Sequence, residues 1–313
     1  MADKPVIITS KDGMRKWSKS AQLQGKTIGL VPTMGYLHEG HLSLVKESRK
    51  HADLTVVSIY INPGQFSPSE DLSTYPSDFP SDIEKLKSIP CGVDAVFHPQ
   101  NLYDYPENSR VGGDRHDQDR NKVVSCVENG ESGHETWIRV EKLEKGLCGS
   151  TRPVFFRGVA TVVAKLFNIV DPDFAVFGKK DYQQWKIIQR MVRDLDFGMK
   201  IIGADLVRDE DGLAMSSRNV RLTSEERQKA LSINRSLTVA KARAEKKGEA
   251  ACSSDALKSL VIGSIQDAGG KVDYVEIVDE QNLERVDEIK GRAVIICVAA
   301  WFGNVRLVDN IEI

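Results

Sequence analysis

The sequence contains no apolar run near the roughly 18 residues that a membrane-spanning helix needs. Its start, Met1-Ala2-Asp3-Lys4-Pro5, lacks the basic and apolar regions of a secretory signal. Cysteine is scarce. The five (Cys91, Cys126, Cys148, Cys252, Cys297) are odd in number and scattered, and none form a Cys-x-x-Cys pair. That pattern indicates neither a zinc site nor a disulfide framework. They read as ordinary thiols in a reducing compartment, with a redox switch at Cys126 or Cys148 as the alternative. A net charge of only −2 gives no electrostatic reason for non-specific nucleic-acid binding. There is no internal repeat and no low-complexity tract. What is present is ordinary for a soluble globular protein: 313 residues, 41% hydrophobic and 28% charged, enough for a sizeable core and about two domains.

Short apolar runs alternate with helical patterns, which predicts βαβ units and a mostly parallel, doubly wound sheet. Strands are expected at Thr27 to Pro32, Leu54 to Ile61, Asp94 to His98, Phe174 to Phe177 and Lys200 to Val207. Helices are expected at Gly40 to Arg49, Asp78 to Lys87, Gly158 to Val170 and Tyr182 to Leu195. The third of these is stopped by Asp171-Pro172. Charge and glycine at Arg208 to Gly212 mark a boundary, dividing the chain into residues 1–207 and 208–313. The second part combines helices at Ser224 to Lys247 and Ser254 to Asp267 with strands at Val272 to Val278 and Ala293 to Ala299, a smaller α+β domain. Asn108 to Glu135 is polar, mixes charges and holds Gly112-Gly113. It reads as a surface insertion, either a solvated excursion or a subunit contact.

Three strand-to-helix junctions carry chemistry. After the first strand comes Pro32-Thr33-Met34-Gly35-Tyr36-Leu37-His38-Glu39-Gly40-His41. In a doubly wound sheet ligands bind outside the carboxyl ends of strands, and free N–H groups at a helix start favour phosphate. His38 and His41, three apart, lie on one face of a helical turn, where two imidazoles can donate to a phosphoryl group gaining charge. Metal binding competes with that reading, but no third ligand lies nearby in sequence. After the second strand, Asn62-Pro63-Gly64-Gln65-Phe66 offers a glutamine that can both donate and accept; a loop glutamine facing water is the plain alternative. At the third junction, Gly178-Lys179-Lys180-Asp181-Tyr182-Gln183-Gln184, Lys180 supplies a point charge suited to phosphates. Asp181 either caps the next helix or binds a ribose, and Lys179 has the weaker case. A polar loop, Asp211-Gly212-Leu213-Ala214-Met215-Ser216-Ser217-Arg218-Asn219, carries two adjacent hydroxyls and a guanidinium; taken alone it reads equally as a polar hinge.

These motifs carry a resemblance. His38-Glu39-Gly40-His41 resembles the His-x-Gly-His signature of the nucleotidyltransferase superfamily, and the longer run from Pro32 resembles the pantothenate synthetases, the pantoate–β-alanine ligases, in particular. The segment Ser58 to Phe66 is similar to that family's strand and loop bearing the pantoate-binding glutamine, and Gln184 to its second pantoate-contacting glutamine. Asp211 to Asn219 resembles its counterpart of the Lys-Met-Ser-Lys-Ser loop, with Val207 at the spacing of a backbone contact to adenine. The resemblance runs from about residue 5 onward and includes Arg306-Leu307, Asp309-Asn310-Ile311.

It implies a Rossmann-like domain followed by a smaller C-terminal lid. It implies ATP-dependent condensation of (R)-pantoate with β-alanine to pantothenate, AMP and pyrophosphate, through a pantoyl-adenylate. The implied catalytic set is His38, His41, Lys180, Ser216, Ser217 and Arg218. Met34, Gly35, Gly40, Gly178, Lys179, Asp181, Val207 and Met215 complete the ATP contacts, and Gln65, Gln184 and Asn62 face pantoate or β-alanine. Mg²⁺ would ride on the ATP phosphates, with no protein ligand assigned. Val154-Phe155, where many bacterial members carry Gly-His, and the long insertion resemble the plant branch, which acts as a cytosolic homodimer. No nucleic acid or membrane partner is implied.

Overall fold

A computed structural model describes residues 4–90, 92–103, 124–128, 134–247, 252–289 and 291–313. The chain packs as two units. One takes residues up to Tyr36, Leu44–Phe177 and Ile187–Ile202; the other takes Leu37–Ser43, Gly178–Lys186 and Gly203–Ile313. The units are therefore interleaved along the chain, where the sequence suggested two consecutive stretches meeting at residue 207. Two of the strand-to-helix junctions are counted with the C-terminal residues.

The first unit is built on a parallel sheet of β1 (Val6–Ile8), β2 (Ile28–Thr33), β3 (Leu54–Ile59), β4 (Ala95–Phe97), β5 (Phe174–Gly178) and β6 (Lys200–Ala204), in the order β1-β4-β3-β2-β5-β6. The β1–β4, β4–β3, β3–β2 and β2–β5 pairs are parallel. Ile28 to Val31 and Thr55 to Ile59 are buried without alternation, as expected of strands covered on both faces. Helices α1 (Lys11–Leu23), α2 (Glu39–Ser48), α3 (Phe79–Lys87), α4 (Leu147–Thr151), α5 (Phe155–Val170) and α6 (Tyr182–Asp194) complete the crossovers. From β2 the chain winds outward through β3 and β4, then returns to the other side of β2 as β5. The switch point lies between β2 and β5, and the site segments continue from their carboxyl ends.

Local chemistry explains the helices. Asp78 caps α3 by accepting from Ser81 N, with Pro80 in the first turn, where its missing N–H costs nothing. Helix α5 is buried on nearly every side and ends at Asp171, whose φ of 49° breaks the helix before Pro172. Three elements of this unit were absent from the sequence reading. Strand β1 is three residues long with Val6 and Ile7 half exposed. Helix α1 is polar, contains Gly13 and buries only Met14, Ser18 and Ala21, although this i, i+4, i+7 spacing is helical. Helix α4 is a five-residue piece.

In the second unit, α7 (Ser224–Lys247) and α8 (Ser254–Asp267) pack over an antiparallel sheet of β8 (Lys271–Asp279), β10 (Val294–Phe302) and β11 (Val305–Glu312), in the order β11-β10-β8; β7 (Cys252–Ser253) pairs with β9 (Glu288–Ile289) apart from it. Leu231, Leu237, Leu257, Val261, Ile277, Ile296 and Phe302 form its core. Strands β10 and β11 make a hairpin turned at Gly303, whose φ of 56° suits glycine. The sequence reading had no strand at β11.

The insertion expected at Asn108 to Glu135 lies mostly outside the described residues. Of its described part, Cys126 N donates to Phe66 O, and Arg157 pairs with both carboxylate oxygens of Glu128.

Helix α5 crosses the Pro63–Gln65 turn at Gly158, where a Cβ would stand 2.1 Å from Gly64 O and 2.6 Å from Gln65 Cα. These are backbone atoms and cannot swing aside. Gly158→Ala is therefore expected to destabilise the protein by at least about 2 kcal/mol, as overpacking against fixed atoms does. Urea unfolding tests this, and a variant as stable as the parent would show that the turn yields.

Candidate active site

In the first unit, β2 runs into Met34 and Gly35. Thr33 Oγ1 donates to Ser58 O (2.8 Å) and accepts from Gly35 N (3.2 Å). Gly35 has a φ of 87°, and a Cβ there would meet Asp82 Oδ2 and Ile59 at 3.1 Å. Asp82, only 1% exposed, accepts from Tyr36 N at 2.8 Å and so fixes the turn after β2. Sequence reasoning missed Asp82. The available signal was an acid at the apolar-face spacing of Phe79, Ile83 and Leu86 on α3.

Gln65 sits in the 3-10 turn after β3, 7% exposed, with Nε2 3.2 Å from Met34 Sδ. Its position is set by Asn62. The Asn62 amide donates to Gln65 Oε1 (3.0 Å) and Gly158 O (3.1 Å), and its oxygen accepts from Gly64 N (3.2 Å) and the Tyr103 hydroxyl (2.8 Å). An amide has two N–H donors and one oxygen with two lone pairs, so all of Asn62 is engaged within the protein. Arg152 donates to Gln65 O (3.4 Å), pairs with Glu70 and stacks 3.8 Å from the Phe155 ring. Val154 is buried and Phe155 serves Arg152 as a stacking face, so Val154-Phe155 is packing at the start of α5. Tyr103 and Arg152 carried no motif and were not anticipated.

In the second unit, His38 to His41 opens α2. The two imidazoles lie 4.1 Å apart, and His41 N donates to His38 O (2.8 Å). His38 N donates to Nδ1 of His41 at 3.3 Å. An accepting Nδ1 leaves the proton of a neutral ring on Nε2. Gly40 is needed between the rings: a Cβ there would stand 2.9 Å from His38 Cε1 and Nδ1 and 3.6 Å from Met215 Cβ. Met215 therefore lies against the His38–His41 turn.

Gly178 leads into the 3-10 turn Lys179–Asp181 and then α6. Lys179 pairs with Asp205 (3.0 Å) and Glu312 (3.4 Å). Burial opposes its charge, but these carboxylates outweigh it and hold the ammonium above the ordinary lysine value. Lys180 forms an ion pair with Asp181 at 3.4 Å. Gln184, on the first turn of α6, is half-buried. Further on, Lys186 is buried beneath Trp185 and Tyr182, and burial pushes its ammonium below the usual lysine value.

Val207 to Met215 is a closed hairpin: Arg208 bridges Ala214, Asp209 N donates to Leu213 O, and Met215 N donates to Val207 O at 3.1 Å. Arg227 pins it through Asp209 and Asp211. Next, Ser216 Oγ accepts from Arg218 N (3.3 Å), and Ser217, nearly buried, begins another 3-10 turn. Met34, Gly35, Asn62 and Gln65 thus belong to the first unit, and His38, Gly40, His41, Gly178 to Gln184, Val207 and Met215 to Arg218 to the second. Among the described residues, no three His, Cys, Asp or Glu side chains converge as a metal cage, and no helix is long and apolar enough to cross a membrane.

A parallel sheet with polar segments leaving its strands at a switch point defines a doubly wound α/β protein, and known proteins narrow the class. The chain matches the family described as Pantoate-beta-alanine ligase over residues 6–312. It is 64% identical to a pantoate--beta-alanine ligase of Lotus japonicus, covering 99% of both chains. The corresponding Arabidopsis thaliana protein is also 64% identical, over 99% of this chain and 98% of that one. The solved pantothenate synthetase of Thermus thermophilus superposes with a TM-score of 0.82 at 36% identity over 98% of each chain. A Francisella tularensis pantoate-beta-alanine ligase, solved with β-γ ATP and β-alanine, gives 0.72 at 29% identity over 98% of this chain and 97% of that one. The chain belongs to the pantoate–β-alanine ligase family.

Asn62→Ala would remove at once the hydrogen bonds that Asn62 makes with the buried Tyr103 hydroxyl, Gly158 O and Gln65 Oε1. A loss of about 2–3 kcal/mol is expected, since unmatched buried polar groups bear their desolvation cost. Chemical denaturation measures it; an unchanged midpoint and slope would mean that the neighbours re-pair.

Proposed function

We propose that this chain joins (R)-pantoate to β-alanine with ATP, releasing AMP and pyrophosphate, through a pantoyl-adenylate. One observation carries the reading above all: His38 and His41 face each other across Gly40, with Met215 of the Ser216–Arg218 segment against that glycine. This brings two of the phosphate-directed segments into one unit.

In the first half-reaction a pantoate carboxylate oxygen attacks the α-phosphorus of ATP, and the bond to the pyrophosphate oxygen breaks. Charge grows on the equatorial and leaving oxygens, so positioned donors do most of the work. The Nε2–H of His41 and the His38 ring donate to those oxygens, Lys180 adds a point charge, and Ser216, Ser217 and Arg218 bind the departing pyrophosphate. Met34, Gly35, Gly178, Asp181, Val207 and Met215 line the nucleotide. Lys179, held by Asp205 and Glu312, braces its loop rather than reaching for phosphate. Mg²⁺ enters with ATP as part of the substrate, held by phosphates and water.

Gln65 and Gln184 bind the pantoate hydroxyl and carboxylate, and Asn62 acts by holding Gln65. In the second half-reaction the neutral amine of β-alanine attacks the acyl carbon. The acyl–phosphate bond breaks, AMP leaves, and the nitrogen gives up a proton as the amide forms. Exclusion of water protects the mixed anhydride until the amine attacks. A cytosolic homodimer completes the proposal, resting on resemblance to the plant branch.

Pyrophosphate-to-ATP isotope exchange with pantoate and Mg²⁺, without β-alanine, tests the reading. Exchange that requires pantoate is expected, and its absence, with no AMP formed after β-alanine is added, would overturn the assignment. His41→Ala should lower the exchange by about two to four powers of ten in a folded protein, as for a positioned polar catalyst. A rate within about threefold of the parent would remove His41 from the catalytic set. Gln65→Ala should weaken pantoate binding by about 1–3 kcal/mol, and unchanged calorimetric affinity would refute its role.

A further inference from the structure

We propose that Asp309 and Asn310, near the end of β11, are positioning residues that align the Lys180 turn and the Ser216–Arg218 segment for adenylate formation. The inference rests on the function proposed above. Neither side chain belongs to the ATP or pantoate contacts assigned there.

Asn310 Nδ2 donates to the carbonyls of both Lys179 and Lys180, each at 2.9 Å. One side-chain NH₂ thus brackets two consecutive peptide groups and fixes the backbone from which the Lys180 side chain projects. The bracket is itself fixed: Asn310 is 7% exposed, and its backbone N donates to Asp309 Oδ1 at 2.7 Å. Asp309, 4% exposed, grips Arg208 with both oxygens, at 2.7 and 2.9 Å. The same guanidinium donates to Gly212 O (3.2 Å) and Asn310 O (3.5 Å). Arg208 also stands in the hairpin that delivers Ser216, Ser217 and Arg218. Two adjacent residues therefore hold two segments that lie far apart in sequence. The turns Lys179–Asp181 and Ser217–Arg221 both pack on β11, which pairs with β10 alone in its sheet.

A simple packing role does not account for the chemistry. Strand β11 is already secured by its ladder to β10, which includes Asp309 and Asn310 in register with Val298 and Cys297. Burial pushes the Asp309 carboxyl up against the pull of Arg208, and apolar pairs of similar volume often replace buried ion pairs without loss of stability. What an apolar pair would not supply is direction. A forked guanidinium on a carboxylate and an amide across two carbonyls fix orientation as well as distance.

The test compares Asn310→Leu, which keeps the volume, in the parent and in a Lys180→Ala background. Pantoate-dependent exchange, affinity for a non-hydrolysable ATP analogue, pantoate affinity and thermal unfolding are all read. Asn310→Leu alone should lower the exchange by about ten- to a hundredfold, mostly in kcat, with pantoate affinity unchanged. With Lys180 absent, the same substitution should cost less than about threefold, because a residue acting through Lys180 has little left to position. Equal losses in both backgrounds, or no loss in the first, would overturn the proposal. If Asn310→Leu does not fold, Arg208→Lys, which keeps the charge but not the fork, is scored by the same criteria with Ser216→Ala as the second substitution. Should the parent bind the ATP analogue yet show no exchange, the ligase reading fails, while the positioning role is still decided by analogue affinity in the same pairs.

Discussion

The pantoate end of the proposed site depends on one fully engaged amide. Asn62 ties together the turn that carries Gln65, the carbonyl of Gly158 on α5 and the hydroxyl of Tyr103. Each partner comes from a different stretch of chain, and each is buried or half-buried. The contact works only because Gly158 lacks a side chain, so that α5 can rest directly on the Gly64 backbone. Removing polar groups from water is costly unless each finds a partner, so this arrangement admits few alternatives. That rigidity holds a glutamine, an otherwise adaptable side chain, in one orientation between Asn62 and Met34.

The second unit uses a different device. Its core is apolar and ordinary, two helices on an antiparallel sheet, but the segments with candidate catalytic groups lie at its margin and are held by charge and directional hydrogen bonds. Lys179 is locked to Asp205 and Glu312, Arg208 to Asp309, and Arg227 to Asp209 and Asp211. These ion pairs contribute modestly to stability, especially where exposed. Their effect is geometric: they hold the turn at Lys179 and the hairpin at Arg208 in place, while Lys180 pairs with its neighbour Asp181. Two lysines adjacent in sequence are thus given different partners by where the carboxylates fall.

Much of this was legible in the residues. The buried parallel strands, α5 with its Asp171-Pro172 stop, and the long helices α7 and α8 follow from apolar runs and periodicity. The His38–His41 turn stands out as two histidines framing a glycine after a strand, whereas the Gln65 turn and the Ser216–Arg218 segment stand out through their resemblance to the family's motifs. What escaped was of two kinds. Helix α1 and strand β1 are too polar or too short for periodicity to register. Asp82, Tyr103 and Arg152 bond to partners distant in the chain, which no local pattern announces, and Asp309 and Asn310 stood out only as part of the resemblance, with no partner assigned. The pairing of Asn310 with Lys180, across 130 positions, exists only once the fold is formed.

The Asn62–Gly158 contact also bears on the long polar stretch between its partners. The contact closes a loop of 96 positions, of which residues 108–135 make up 28. The entropy of closing a loop grows only with the logarithm of its length. Deleting all 28 would change that closure term by about 0.3 kcal/mol. Chain statistics thus placed almost no barrier in the way of lengthening this stretch, and its size could vary between relatives while the amide of Asn62 kept its partners.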